Sequence, residues 1–187
     1  AQWLFFESAP FGRGHQHEDK LNLLLFAYGR DLLRDTGYIY VSPAMRQFAL
    51  SSYAHNTVLV DGLGQNRRST YRWEDDDIRK RSDLSVTLGA DEDILCGTYD
   101  EGYGPERMAV THRRTVVKIM HRPLGLKTFY LVIDDMTPQD GASHHYAANW
   151  QLENVPVKIE AVGSMMRATA DYGDGVTLTL LTKAGMR

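Results

Sequence analysis

The most constraining feature of the sequence is a succession of short apolar runs, many with β-type alternation, that fills its second half. The runs lie at 84–88, 94–99, 109–120, 128–133, 145–152, 155–162, 165–170 and 176–182. Gly163-Ser164 and Tyr172-Gly173-Asp174-Gly175 separate the last three runs and are typical of hairpin turns. No helical period is sustained along the chain. The sequence therefore predicts an all-β fold, an antiparallel multi-stranded β-sandwich.

The earlier part of the chain adds further predicted strands and loops. Residues 3–8 and 38–41 are predicted to be strands, and residues 43–54 an irregular or briefly helical loop. Residues 21–28 are apolar at nearly every position, which indicates either a strand covered on both faces or a short buried helix. Residues 63–81 lose the apolar pattern and carry compensating acidic and basic runs, so a long exposed loop or hairpin is predicted there.

Composition and charge exclude several classes of protein. The 187 residues are 43% hydrophobic, enough for a substantial core, and we expect one domain over residues 1–187. The net charge of -3 gives no basic surface for nucleic acid, so an anionic ligand would have to be held by a local patch. The single Cys96 excludes an intrachain disulfide, and no apolar run is long enough to cross a bilayer.

Histidine and aspartate side chains recur in the first third of the chain in a pattern that suits a metal site. In an extended segment His15 and His17 project to the same side, because successive side chains alternate between faces. Asp35 lies where a Thr-Gly pair turns the chain, and His55 directly precedes a β-branched run predicted to be a buried strand. Imidazoles and a carboxylate can form a compact nitrogen and oxygen ligand set for zinc or a similar divalent ion.

A simpler interpretation stays open for each of these residues. Single histidines are often hydrogen-bonded side chains without a metal, Asp35 could accept only turn hydrogen bonds, and His55 could do no more than cap the next strand. Structural roles are also predicted for the histidines of the later strands, which are His112, His121, His144 and His145. Spacing alone does not decide between these interpretations.

Five motifs, taken in order, give the sequence a family resemblance. They are GHQHEDKLN at 14–22, AYGRDLL at 27–33, DTG at 35–37, AHNTV at 54–58 and VDG at 60–62. In this combination the chain closely resembles the heparinase II/III-like polysaccharide lyases, which include heparin, heparan sulfate and oligoalginate lyases. The resemblance implies the β-sandwich region of such an enzyme and an anionic, uronate-containing polysaccharide or oligosaccharide as its partner. Heparan, alginate and hyaluronan-like polymers all remain open as substrates.

The resemblance also implies a reaction and roles for particular residues. Lyases of this group remove a proton from the carbon next to a uronate carboxyl group, and the glycosidic oxygen then leaves by β-elimination. His17, Asp35 and His55 match the family's zinc ligands, and the metal is expected mainly to hold the architecture of the site. His15 matches the histidine that faces the substrate, where it would act as general base or as a partner of the uronate carboxylate.

Further residues are candidates for supporting roles in the same site. Tyr40 is a possible catalytic tyrosine of the cleft. Arg67 and Arg68 follow the site stretch and could pair with uronate or sulfate groups, since guanidinium forks match such oxyanions. Asp19 and Lys20 belong to the first motif and are assigned to support.

One departure from the family pattern limits the expected activity. Relatives usually carry an α/α toroid ahead of the sandwich, which supplies a catalytic tyrosine and a residue that neutralises the uronate. Because the chain opens directly in a predicted strand, without a basic leader, we expect it to be a piece of a longer protein that alone turns over little substrate. The alternative is a non-catalytic carbohydrate-binding or structural β-domain with a stabilising metal site. The substrate class implies a periplasmic or secreted location.

Overall fold

The computed structural model describes residues 2–9, 16–37, 41–66, 83–120 and 129–183. Within these ranges the chain forms antiparallel strands in four sheets, with one α-helix and one 3-10 helix. The predicted all-β, antiparallel fold is thus confirmed. Residues 38–40 of the strand predicted at 38–41, and most of the loop predicted at 63–81, lie outside the described residues.

Within the described residues, twelve strands make up the four sheets. They are β1 (Gln2–Phe6), β2 (Leu23–Ala27), β3 (Arg30–Leu33), β4 (Val58–Val60), β5 (Ser85–Leu88), β6 (Glu92–Tyr99), β7 (Val110–Ile119), β8 (Phe129–Pro138), β9 (Tyr146–Ala148), β10 (Val157–Val162), β11 (Met165–Asp171) and β12 (Thr177–Lys183). The sheets have the orders β1-β2-β3, β4-β9, β5-β6-β7-β8 and β10-β11-β12. Helix α1 spans Pro43–Leu50, and the 3-10 helix spans Ser52–Ala54.

The four-stranded sheet supports the first hydrophobic core. Its inner face packs against Leu21 and Val60, which form a buried cluster with Tyr99, Tyr103 and Val110. Gly97 of β6 permits this close packing, since a Cβ at its position would come within 2.3 Å of Ser8 Oγ. Leu21, just before β2, and Val60, the last residue of β4, are therefore held against the sheet.

A second core lies between the first sheet and the last. Buried residues of β2 and β3 pack against Ala170 of β11 and against Tyr172, which begins the turn to β12. The hydroxyl of Tyr172 donates a hydrogen bond to the carbonyl of Leu32. This contact joins the C-terminal sheet to the strand that leads into Asp35.

Several elements differ in extent from their predicted form. Strand β3 was not predicted, and β8 continues beyond the predicted end at residue 133 to Pro138. Helix α1 occupies residues 43–50 of the segment predicted to be irregular or briefly helical. Ser42 caps its start and accepts a hydrogen bond from Met45 N–H at 3.2 Å. Among the described residues, no helix has the length and apolar character needed to cross a bilayer.

Candidate metal centre

Three side chains from separate segments of the chain converge at one place. Each of His17, Asp35 and His55 offers one ligand atom, and these atoms lie within 4.8 Å of one another. His55 Nε2 is 3.1 Å from His17 Nδ1 and 3.3 Å from Asp35 Oδ2. It is the single group of at least three His, Cys, Asp or Glu residues with metal-site spacing in the described part of the chain.

His55 is the most deeply buried member of the cluster. It follows the 3-10 helix, precedes β4 and has no exposed surface. Its Nδ1 lies 2.7 Å from the carbonyl oxygen of Ser51, to which only a protonated nitrogen can donate. In the neutral ring this bond leaves Nε2 with its lone pair directed at the cluster. A backbone carbonyl that fixes the imidazole tautomer in this way is usual behind histidine ligands of metals.

Asp35 divides its two oxygens between the turn and the cluster. Oδ1 accepts the backbone N–H of Gly37 at 2.6 Å, and Gly37 has a φ of 67°, a value that favours glycine. Oδ2 faces His55 and lies 3.5 Å from the side-chain amide of Asn22. The turn interpretation and the ligand interpretation of Asp35 are therefore compatible.

The backbone next to His17 is tied to the segment that carries His55. The N–H of Glu18 donates to the carbonyl of Leu50 at 2.8 Å, and the hydroxyl of Ser52 donates to the carbonyl of Glu18 at 2.7 Å. The end of helix α1 and the 3-10 helix therefore hold the two histidine segments side by side.

The electrostatics of the pair favour a negative carboxylate beside a positive group. Burial alone would raise the pKa of Asp35, but the hydrogen bonds from His55 and from Gly37 N–H outweigh it and lower that pKa. Burial alone would lower the pKa of His55, but the hydrogen bond and charge of Asp35 outweigh it and raise that pKa. A proton or a metal cation can supply the positive charge that this arrangement favours.

Two of the ligand separations, both from His55 Nε2, are close to those of a tetrahedral metal ion. Zinc bonds of 2.0–2.2 Å at tetrahedral angles place neighbouring ligand atoms about 3.3 to 3.5 Å apart. The separations of 3.1 and 3.3 Å between His55 Nε2 and its two neighbours are close to this value. Two nitrogens and one carboxylate oxygen can hold a divalent ion and leave a fourth position for water or substrate.

The structure describes only some of the other predicted site residues. His15, Tyr40, Arg67 and Arg68 lie outside the described residues, so their catalytic and substrate-binding roles stay predictions. Lys20 is buried, and its Nζ lies 3.7 Å from Glu7 Oε1 and 3.5 Å from Asp19 Oδ1. Asp19 in turn acts on His55 through its charge. The supporting roles predicted for Asp19 and Lys20 are compatible with these positions.

Two later histidines have carboxylate partners of their own. His112 is fully buried, and its Nε2 lies 2.8 Å from Asp134 Oδ1. His144 lies between Asp61, 2.7 Å from its Nδ1, and Asp140, 3.1 Å from its Nε2. Neither histidine belongs to the three-residue metal cluster in the described part of the chain. The structural roles stay predictions, and His121 lies outside the described residues.

Two partners of the cluster were not singled out from the sequence. One is the carbonyl of Ser51, which leaves no signature in a sequence because every residue has one. The other is Asn22, whose side chain reaches both Asp35 and the backbone N–H of Asn56. Asn22 ends the first of the five motifs, and its place in that motif was the available signal.

Comparison with known proteins identifies a matching family. The family model described as Heparinase II/III-like, C-terminal, matches residues 1–185. The match covers nearly the whole chain and includes all three members of the cluster. No curated protein matches the chain significantly.

Proposed function

The chain belongs to the heparinase II/III-like C-terminal family, and from that premise we propose that it forms the β-sandwich part of a polysaccharide lyase. The lyase would cleave uronic-acid-containing glycans by β-elimination. The observation that carries the proposal is the convergence of His17, Asp35 and His55 from three separate segments. We assign zinc to this cluster, because its nitrogen and oxygen donors and their separations suit that ion.

The role of the ligands in this proposal is architectural. A bound zinc ion would cross-link the three segments and hold the first motif in place. His17 is the ligand of that motif, and His15, two residues before it, would be directed toward the substrate. His15 would take the proton from the carbon next to the uronate carboxyl group, or pair with that carboxylate.

The remaining predicted residues would stabilise the negative charge of the uronate and of the intermediate. The proton to be removed is weakly acidic, so the site must neutralise the uronate and stabilise the enolate-like intermediate. Arg67 and Arg68 would pair with uronate or sulfate oxygens, and Tyr40 would donate or accept a proton in the cleft. We propose that an α/α toroid completes the site with a further tyrosine and a neutralising residue, and that the enzyme works in the periplasm or outside the cell.

A second candidate function is a non-catalytic carbohydrate-binding or structural β-domain with a stabilising metal. The observation that favours it is the complete burial of His55, together with the turn hydrogen bond that Asp35 Oδ1 accepts. Both features suit a metal that holds the fold, whatever chemistry takes place near it.

Metal content tests the site. We expect about one zinc per chain, by elemental analysis, in wild type and in His145→Ala, which removes an exposed histidine outside the cluster. We expect His17→Ala to lose the zinc and to unfold at a lower temperature, since metal binding adds to the free energy of folding. A well-folded wild type without metal would contradict the ligand assignment.

A lyase assay separates the two functions. The complete gene product, mixed with heparan sulfate, alginate or hyaluronan, is expected to release unsaturated uronate ends that absorb in the ultraviolet. His15→Ala should abolish this signal while it retains zinc, whereas His145→Ala should leave both unchanged. Binding of these polymers without any absorbing product, in a protein that holds its zinc, would favour the non-catalytic domain.

A further inference from the structure

Asn56, the residue after His55, is fully buried and uses its side chain to join separate segments. Its Nδ2 donates to the carbonyl oxygens of Leu23 and Arg34, each at 2.8 Å. Its Oδ1 accepts the backbone N–H of Gln151 at 2.5 Å. Both amide hydrogens and the amide oxygen of Asn56 are therefore directed at backbone groups, which ties together three separate segments of the chain.

One of these bonds connects two ligand-bearing segments directly. Arg34 immediately precedes Asp35, and Asn56 immediately follows His55. The bond from Asn56 Nδ2 to Arg34 O therefore spans the two segments whose side chains meet at 3.3 Å. A change in the position of this amide would change the separation of Asp35 Oδ2 and His55 Nε2.

A buried arginine from the four-stranded sheet holds Asn56 from the other side. Arg114 of β7 has no exposed surface, and its Nη1 donates to the carbonyls of Asn56 at 2.5 Å and Leu21 at 2.7 Å. Its Nε and Nη2 donate to the two oxygens of Asp134 at 2.6 and 3.0 Å. Arg114 and Asp134 are direct neighbours across β7 and β8, so the sheet fixes the guanidinium.

The chemistry of Arg114 suits a geometric role more than a stabilising one. A buried ion pair adds little net stability compared with a well-packed apolar pair. The guanidinium, however, directs its donors in a rigid planar fork, which can hold a carboxylate and two carbonyls in one fixed arrangement. Here both carbonyls belong to the segments around the cluster.

We propose that Asn56 and Arg114 are positioning residues that set the geometry of the His17, Asp35 and His55 site and thereby its affinity for metal. We call Asn56, Arg114 and Asp134 the brace. The inference rests on the proposed function, because it requires that the cluster binds zinc. Outer groups that orient metal ligands typically change metal affinity by about 10- to 100-fold when they are removed.

The test compares Asn56→Ala and Arg114→Lys with Val116→Ala in the 187-residue chain. Lysine keeps the positive charge but has a single ammonium in place of the fork. Val116 is buried on the same face of β7 as Arg114, so its truncation destabilises the same sheet without a change in hydrogen bonding. Circular dichroism identifies a temperature at which each variant is folded, and zinc affinity is measured there by competition with a chelator.

Cobalt(II) provides a second measurement that general stability does not affect. Its visible spectrum reports coordination geometry, which the brace is inferred to control. We expect Asn56→Ala and Arg114→Lys to bind zinc about 10- to 100-fold more weakly and to shift the cobalt spectrum. Val116→Ala should keep the affinity and spectrum of wild type. If Asn56→Ala does not fold, Arg114→Lys decides the question.

Other outcomes would overturn the inference in distinguishable ways. Wild-type zinc affinity and cobalt spectra in the folded brace variants would overturn it and leave the proposed metal site intact. An equal loss of affinity in Val116→Ala would show that general destabilisation is the cause. A wild type that binds neither ion would overturn the proposed metal site and the inference with it.

Discussion

Asp35 has a different partner for each of its two carboxylate oxygens. Oδ1 accepts the Gly37 N–H at 2.6 Å and stabilises the turn, whereas Oδ2 faces His55 at 3.3 Å. An asparagine can keep the first contact through its carbonyl oxygen, but it has no negative charge for a metal ion. The structural and metal-binding contributions of this residue can therefore be separated by one substitution.

We expect Asp35→Asn to abolish the stabilisation that zinc gives the chain. A ligand that binds only the folded state adds about 2.7 kcal/mol when its concentration is 100 times its Kd. Thermal unfolding with and without zinc measures this increment in wild type, in Asp35→Asn and in Asp31→Asn, an exposed position of β3. The Asp31 variant should keep the increment. An Asp35 variant stabilised by zinc as strongly as wild type would contradict its role as a ligand.

Strand β8 is longer than its sequence pattern predicts. Asp134 and Asp135 look like the end of a strand in the sequence, yet β8 continues through them to Pro138. Asp134 faces the interior, where Arg114 and His112 bind its oxygens, and Asp135 is exposed. The apolar pattern of β8 could be predicted from the sequence, but its true length depends on a pairing that only the sheet register provides.

The two adjacent aspartates of β8 should therefore differ in their contributions to stability. Asp134→Ala leaves the buried Arg114 without its carboxylate partner, a loss that typically costs about 3 to 5 kcal/mol. Asp135→Ala changes an exposed position and should alter the free energy of unfolding by about 0.5 kcal/mol or less. Urea unfolding of both variants measures the difference. Equal effects of the two substitutions would show that the Arg114 pair contributes little.

The turn after β4 is joined to the loop before β9 by His144. The ring lies between Asp61 and Asp140, whose hydrogen bonds and charges raise the pKa of His144. A backbone hydrogen bond and the contact with His144 lower the pKa of each aspartate. The other ionisable groups around the ring are His145, which acts on Asp61, and Tyr146, which packs against it.

These pKa shifts predict a pH window for the His144 contact. The contribution of a group with a raised pKa is present below the ordinary histidine value of 6.5 and is lost as pH rises through the folded pKa. The contributions of Asp61 and Asp140 are present above 3.8 and are lost as pH falls through their lowered values. The backbone N–H of His145 donates to Asp61 at 2.7 Å. Its hydrogen exchange should be slower in wild type than in His144→Ala, and the difference should be largest between pH 3.8 and pH 6.5. Protection that does not vary with pH would contradict the prediction.

Across the whole molecule, the sequence predicted the site better than it predicted the contacts that support it. The order of the motifs led to His17, Asp35 and His55, and the structure brings these three together. The supporting contacts come from Ser51, Asn56 and Arg114, and the last is far from the cluster in the sequence. Tertiary packing alone creates such contacts, so neither periodicity nor spacing could reveal them.

The C-terminal sheet offers a final test at this scale, because it joins β2 and β3 through the second core. Tyr172 is largely buried there, and burial raises the pKa of its hydroxyl to about 12 while that hydroxyl donates to the carbonyl of Leu32. Tyr172→Phe leaves this carbonyl without the donor, a loss that typically costs about 1 to 3 kcal/mol.

Hydrogen exchange measures which strands Tyr172→Phe destabilises. If the C-terminal sheet can open separately from the four-stranded sheet, Tyr172→Phe should accelerate the exchange of amides in β11 and β12 and leave those of β7 protected. Tyr130→Phe is the matched control, since the hydroxyl of Tyr130 bonds only an exposed Gln2 side chain in the contacts described, at 2.9 Å. Equal acceleration in β7 and β11 would instead mean that both cores open as one cooperative unit, and that the docking of the C-terminal sheet cannot be separated from global stability.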